Sequence, residues 1–342
     1  MRNETRRAYD QYCARIAQLS GVPLSTTKVA VDPTVQQTLE TKIQESSEFL
    51  KRINNIGVRE QSGQKIGLGI GSTIAGTTDT SKQERAPTDP TTLDAQGYFC
   101  TQTNFDTSLS YAKLDAWAKF PDFQARVRDE LAKRQALDII CIGFHGKARA
   151  ATSDRAKNPL LEDVNIGWLE KIRQNAPKRA MSGIKVGKAT GNDYQTLDAV
   201  VYDLVNDLIE PWFRDDPGLV AVMGRKLLAD KYFPLVNDAS QRPTDTLAAD
   251  LIISQKRMGG LQAVAVPYFP DGAIMVTRLD NLSRYFQEGA RRRQLLDNPK
   301  RDRIENYESS NDAYVVEDYG MCALVEGITL TDEAANQPGA TV

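Results

Sequence analysis

The sequence predicts an α+β chain: one compact α/β unit joined to long parts that bury poorly within a single copy. Three observations predict it. The 24 residues PDFQARVRDELAKRQALDIICIGF, opening at Pro121, read as one helix, roughly 36 Å long. In GQKIGLGIGSTIAGTTDT, from Gly63 to Thr80, Ile66, Leu68 and Ile70 alternate with Gly67, Gly69 and Gly71. That is a strand period of two with one apolar face and one bare face. Between Asp193 and Thr277, helix-type and strand-type runs alternate within a short span.

From the N-terminus, residues 1–20 predict a short amphipathic helix. Tyr9, Tyr12, Ile16 and Leu19 fall at helical spacing, and Arg2, Arg6, Arg7 and Arg15 give it basic character. Ser20-Gly21-Val22-Pro23 ends it, and a polar linker follows. A second helix starts at Asp32-Pro33, an N-cap followed by proline at the first helical position. Val35, Leu39, Ile43, Leu50 and Ile53 line one of its faces, and Asn54-Asn55-Ile56-Gly57 closes it.

The glycine stretch predicts a pliable hairpin, with Gly57–Gln61 as partner strand and Gln61-Ser62-Gly63-Gln64 as the turn. Glycine weakens a strand and lets another backbone approach closely, so such a hairpin needs something else to lie on. Tyr98 to Trp117 alternates enough to predict strands. The long helix follows, with Phe123, Val127, Leu131, Leu137, Ile140, Cys141 and Phe144 along its apolar side. WLEKIR around Trp168 is a short helical segment, and Gly183–Gly191 marks a boundary. LDAVVYDLVNDLI and RKLLADKYF are helices; Leu219–Met223, AVAVP at 263–267 and AIMVT at 273–277 are strands. Asn306–Thr331, rich in Tyr and Val, predicts long strands leaving the compact unit.

A chain of 342 residues that is 41% hydrophobic with a formal charge of -2 is too apolar for a disordered chain. The balanced charge argues against non-specific nucleic-acid binding as its main role. No apolar run approaches the ~20 residues of a membrane span. Cys13, Cys100, Cys141 and Cys322 lie far apart without a C-x-x-C, so reduced, buried thiols are expected.

Sites of chemistry are scarce. G-x-G-x-x-G fails because Ser72 stands at the third glycine position. Gly71–Thr78, GSTIAGTT, approaches a P-loop, but Thr77 replaces the lysine that would reach the phosphates. His145, the only histidine, sits at a helix end as a cap or surface residue. No serine or cysteine has a G-x-S-x-G setting. The single histidine and scattered cysteines supply no usual zinc set. Asp215-Asp216 reads as a solvated turn. Glu317-Asp318 falls in a predicted strand whose alternation separates the two carboxylates. No catalytic, cofactor-binding or metal-ligating residue is expected. The run ARRRQLLDNPKRDR concentrates Arg291, Arg292, Arg293, Lys300, Arg301 and Arg303. It is a DNA-facing patch, a set of intersubunit ion pairs or a solvated face.

What stands out is therefore shape, and these parts make sense if neighbouring copies cover them. The residues point the same way. QESSEFLKRIN (44–54), KIGLGI with IAGTTDT (65–80), DFQARVRDELAKRQALDII (122–140), ATSDRAKNPLLEDVNIGWLEKIR (151–173), LIEPWFRDDPGLV (208–220), ADLIISQKRMGGLQAVAVPYFP (249–270) and NPKRDRIENYESSNDAYVVEDY (298–319) closely resemble major capsid proteins of P-two-like tailed bacteriophages.

The resemblance implies a Hong Kong 97-like capsid fold. It divides the chain into an N-terminal segment (1–31), an arm helix (32–56) and an extended loop (57–105). A peripheral domain with the spine helix (106–189), an axial domain (190–304), peripheral return strands (305–330) and a tail (331–342) follow. It implies that Ile66, Gly67, Leu68, Gly69, Ile70 and Gly71 touch the next subunit. Self-assembly into hexamers and pentamers is expected, guided by an internal scaffolding protein and a maturation protease. A portal protein, packaged double-stranded DNA held by non-specific contact, and decoration or size-determining proteins complete the implied partners. The particle would be the virion, assembled in the host cytoplasm. Cleavage is expected near Val29, Ala30, Val31 and Asp32, in an unstructured linker, and the first helix is expected to order only on scaffold. Two alternatives stand beside this: an encapsulin-type compartment shell, and a P-loop-like nucleotide enzyme built on Gly71–Thr78.

Overall fold

The computed structural model describes residues 1–19, 29–64, 67–70, 75, 77–86, 91–94, 97–117, 123–237 and 256–331. The first helix, α1 (Asn3–Leu19), lies where its spacing predicts. It packs on its own chain, with Met1, Tyr9, Tyr12 and Cys13 against Leu114, Leu295 and Ile304. Strand β1 (Val29–Ala30) follows. Helix α2 (Pro33–Glu45) begins at its expected cap, where the Asp32 carboxylate accepts the Thr34 N–H at 2.9 Å. The predicted single helix breaks at Ser46-Ser47, where Ser46 Oγ donates back to the Ile43 carbonyl at 2.7 Å. Helix α3 (Glu48–Arg52) resumes the same buried face through Phe49 and Leu50.

The expected hairpin pairing is corrected. Strand β2 (Asn54–Val58) is no partner of the glycine stretch; it joins a large sheet. β3 (Ser62–Gln64) and β4 (Gly67–Ile70) instead pair with later, returning chain, β6 (Gly97–Phe99) and β5 (Thr91–Asp94) respectively. The ribbon is therefore longer than the notional turn at 61–64 requires. β7 (Thr101–Asn104) and β8 (Thr107–Ser110) are strands as expected, but Tyr111–Trp117 is a helix, α4.

The long helix α5 runs from Phe123 to His145. Its buried side, including Ala136, Ile139, Ile140 and Phe144, meets Phe49, Leu50 and Trp168 in one core. Helix α6 (Trp168–Asn175) crosses it closely. A Cβ on Gly143 would stand 2.1 Å from the Trp168 ring, so the crossing admits only glycine there. Trp168 is fully buried, and its indole N–H donates to the Ser283 carbonyl at 2.9 Å.

Beyond it come β9 (Ala180–Ser182), β10 (Lys185–Val186), α7 (Leu197–Asp203), β11 (Val220–Met223) and α8 (Arg225–Asn237). α7 continues as a π-helical turn over Leu204–Leu208. Then follow β12 (Arg257–Met258), β13 (Leu261–Ala265), β14 (Ile274–Thr277), β15 (Leu282–Gln287), β16 (Arg292–Asn298), β17 (Arg303–Val316), β18 (Ala323–Glu326) and β19 (Thr329–Leu330).

Two sheets organise the chain. The compact one has the order β12-β13-β11-β14-β18-β9 and is covered on both faces. Alternation separates its side chains cleanly. Val220, Val222, Met275 and Leu324 enter the core that holds α5 and α6; Ala221, Met223, Ile274, Val276, Ala323 and Val325 enter a second core with α7 and α8. The other sheet is built on β17, whose 14 residues hydrogen-bond to β15, β16, β7 and β8. β2 and β1 extend it.

The sheets redraw the expected boundary at 304/305. β15 and β16, within the span 190–304, belong to the β17 sheet, while β18, within 305–330, belongs to the compact one. After β14 the chain leaves the compact sheet for the β17 sheet and returns at β18, and long-range pairing of this kind leaves no local mark in sequence. Glu317 and Asp318 also lie beyond the strand: Glu317 accepts from the Tyr285 hydroxyl at 2.9 Å, and Asp318 caps the turn Tyr319–Met321. The four cysteines are thiols outside any disulfide, with Cys100, Cys141 and Cys322 buried and Cys13 partly so. Among the described residues no helix is long and apolar enough to cross a membrane.

Candidate assembly surfaces and the buried charge network

Arm, spine helix and β17 sheet meet at a cluster of charges. Glu40 sits on the buried face of α2, four residues after Gln36 and three before Ile43. Its carboxylate accepts from Arg284 Nη1 at 2.6 Å and from Arg291 Nη1 at 2.5 Å. Arg284, on β15, reaches Asp312 at 2.6 Å. Arg291 holds Glu308 through Nε at 2.9 Å and Nη2 at 2.6 Å. Gln135, from α5, closes the ring by donating to Glu308 at 2.9 Å and accepting from Arg291 at 2.8 Å. None of the four ion-paired contacts has a side chain more than 4% exposed.

The electrostatics follow from that burial. Burial alone would raise the Glu308 pKa; the charges of Arg291 and Arg293 outweigh it and bring it down to about 2. Glu40 is lowered likewise, with Arg284 and Arg291 overcoming its burial. At Asp312 burial wins over Arg284, and the carboxyl is raised.

This network corrects the reading of the basic run. Arg291 is no surface residue; it is wholly buried and committed to Glu40 and Glu308. Arg293 donates to the Tyr12 hydroxyl at 2.8 Å and to Asn306 at 3.0 Å. Arg303 pairs with Glu305 at 2.6 Å along its own strand. Arg292, Lys300 and Arg301 remain exposed. The fold thus sends Arg291 to an interior lock, gives half-buried Arg293 and Arg303 local partners, and leaves Arg292, Lys300 and Arg301 on the surface. A sequence signal for the lock did exist: Glu308, Ser310 and Asp312 at period two place polar groups on one strand face.

The extended ribbon stands apart. Among the described residues β4 pairs only with β5, Gly67 opposite Asp94 and Ile70 opposite Thr91, and the two form a separate two-stranded sheet. Ile66 and Gly71 lie outside the described residues, as does most of Gly71–Thr78. The segment expected to be cleaved differs from the expected free linker. Val29 and Ala30 pair with Arg293 and Arg292, the Val31 N–H donates to the Arg291 carbonyl at 2.9 Å, and the Val31 side chain is buried. Asp32 caps α2. His145 ends α5, and burial lowers its pKa. Asp216 accepts from the Gly218 N–H at 2.7 Å and pairs with Arg278 at 3.0 Å, a structured turn. Among the described residues no group of three or more His, Cys, Asp or Glu side chains could hold a metal ion. Phe99 and Trp212 are more than half exposed on the single chain.

Comparison with known proteins gives this arrangement a context. Residues 8–328 match the family described as phage major capsid protein, P2 family. The chain is 50% identical over 360 aligned positions to the capsid proteins of Escherichia phage P2, covering 99% of this chain and all of that one. It is 42% identical to the major capsid protein of Serratia phage KSP20, covering 96% and 98% of the two chains. Among solved structures it is similar to a chain of the satellite phage P4 procapsid including size determination (Sid) protein, with a TM-score of 0.80, 48% identity and coverage of 97% and 99%. A chain from the capsid of an empty GTA particle shares the fold at 14% identity, with a TM-score of 0.54 over 83% of this chain and 90% of that one.

The network makes stability depend on pH in a defined direction. Glu40 and Glu308 bind protons less readily folded than unfolded. The stability they contribute is present above the ordinary value of 4.5 and is lost as pH falls from there through about 2. Asp312, raised by folding, opposes this and makes the loss shallower. Glu308→Gln is expected to cost about 3–5 kcal/mol at neutral pH, because Arg291 stays buried without its full partner. Urea midpoints of variant and parent should converge between pH 4.5 and about 2. A gap that stays constant through this window contradicts the assignment.

Proposed function

Because the chain belongs to the P2 family of phage major capsid proteins and so forms the icosahedral capsid of a tailed phage, we propose that its fold divides into a rigid frame and an adaptable tie. The frame is α2, α5 and the β17 sheet, fixed by the buried charges. The tie is the ribbon of β3, β4, β5 and β6, inside the expected loop 57–105 whose two ends belong to the β17 sheet, and it lies over the next subunit through Gly67, Leu68, Gly69 and Ile70. One observation carries this reading: among the described residues β4 and β5 pair only with each other, apart from both large sheets. An isolated two-stranded ribbon is marginal in water, so it needs a surface supplied from outside. Hexamers and pentamers ask different curvatures of one sequence, and a ribbon with one bare face absorbs the difference without disturbing a core.

The role is structural, without catalytic residues. Internal scaffold guides assembly, a portal occupies one vertex, and a size-determining protein is a further partner, by likeness to the P4 procapsid that contains one. Packaged DNA is held by non-specific contact; a net charge of -2 suits a wall that must not grip phosphates. A maturation protease removes residues 1–31. Because Val29–Val31 are paired to β16, that bond is cut only after the edge strand peels away.

Two outcomes test the reading. Removing Gly63–Thr80 and rejoining the ends should leave folded, soluble subunits that form no closed shells in negative-stain images; normal particles from the shortened chain would refute the loop assignment. Mass spectrometry of mature particles should find a chain beginning near Asp32, and a chain still beginning at residue 1 or 2 rules out the processing step.

A further inference from the structure

The seat of α1 has the properties of a receptor. Its floor is apolar, formed by Leu109, Leu114, Leu131, Leu295 and Ile304, and Tyr9 and Tyr12 fill it incompletely, leaving a cavity of about 30 Å³. Its rim is polar and complementary. Asp115 accepts from the Arg2 N–H at 2.9 Å and from the Thr5 hydroxyl at 2.5 Å. Asp297 pairs with Arg6 at 3.4 Å. Arg293 donates to the Tyr12 hydroxyl and lies 5.8 Å over its ring.

Each of these polar partners is at least 110 positions in sequence from the residue it holds. The helix is therefore held by recognition of its side chains, not by a short turn that could only close on its own chain. A single helix of 17 residues is marginal in water, so the groove supplies its order. Residues 20–28, which join it to β1, span at most ~30 Å when extended. Exchange of an identical element between copies keeps every contact and changes only the tether. When copies are crowded together, the local concentration of neighbouring helices rivals that of the chain's own.

We infer that this groove is a helix-binding site in its own right and takes the Asn3–Leu19 helix of a second copy, so that the N-terminal segment links neighbouring subunits during assembly. The occupant is specified by chemistry: a basic amphipathic helix with Thr at one position and Tyr four and seven residues later, matching Asp115, the apolar floor and Arg293.

Cysteine pairing separates exchange from closure within one chain. In a Cys13→Ala background, Thr5→Cys and Asp115→Cys stand at touching positions. Two chains are co-expressed, one carrying only Thr5→Cys and the other only Asp115→Cys, and assembled particles are oxidised. A disulfide-linked dimer, mapped by peptide mass spectrometry to positions 5 and 115, is the expected result. Tyr12→Ala in the helix-bearing chain should lower its yield about tenfold, the effect of losing one hydrogen bond to a charged group. The double variant in one chain is the control. If it closes on itself while the mixture gives no linked dimer, exchange is refuted. If neither links, the helix does not occupy the groove and the site itself is refuted.

Discussion

Glu40 holds two arginines at once, and much of the architecture depends on that grip. Its carboxylate joins Arg284 on β15 to Arg291 at the start of β16, and through them Asp312 and Glu308 on β17. Gln135 brings in the long helix. The arm, the sheet and the spine therefore share one polar centre. Such a centre is not a strong source of net stability, since desolvating charges offsets most of their attraction. Its value lies in geometry. An apolar contact tolerates sliding, whereas a carboxylate bridging two guanidiniums permits one placement of α2 on the sheet. Gln36 reinforces that placement by donating to the Gln287 carbonyl and accepting the Gly289 N–H.

On the proposed reading, a fixed frame gives the separate parts their purpose. The compact sheet is locked from the other side, where strict alternation sends successive residues of β11, β14 and β18 into two different cores. What remains outside these cores is the ribbon of β4 and β5, the exposed Phe99 and Trp212, and the N-terminal helix in its groove. These are the pieces that a shell of many copies can use. Rigid frames tile, and separable pieces tie the tiles together. The edge pairing of Val29–Ala30 with β16 places the N-terminal segment and the arm on the same strand hairpin that carries Arg291. Loosening one end of that hairpin is thus felt at the charge centre.

Local pattern made part of this legible in the sequence. Helical spacing located α1, α5 and α6, and apolar runs located β11 and β14, because those signals lie within one element. The Asp32-Pro33 cap was legible for the same reason. Pairings between distant segments were not. Nothing near Gly67 indicates that Thr91–Asp94 is its partner, and nothing near residue 304 indicates that β15 and β16 leave the compact unit for the β17 sheet. Arg291 shows the limit most plainly. Within ARRRQ it looks like its neighbours, yet only it meets Glu40 and Glu308, residues 251 and 17 positions away. The helix Tyr111–Trp117 was missed because its short sequence, YAKLDAW, alternates as a strand would.

The central claim is that a rigid frame set by buried charges carries an adaptable ribbon. Electron cryo-microscopy of assembled particles, with hexamer and pentamer copies reconstructed separately, tests it most directly. The account predicts that α2, α5 and the β17 sheet superpose in every copy with the Glu40, Arg284 and Arg291 contacts intact, while the ribbon of β4 and β5 changes its angle from copy to copy. A ribbon held at one angle throughout, with curvature taken up by a shift of α2 against the sheet, would contradict it.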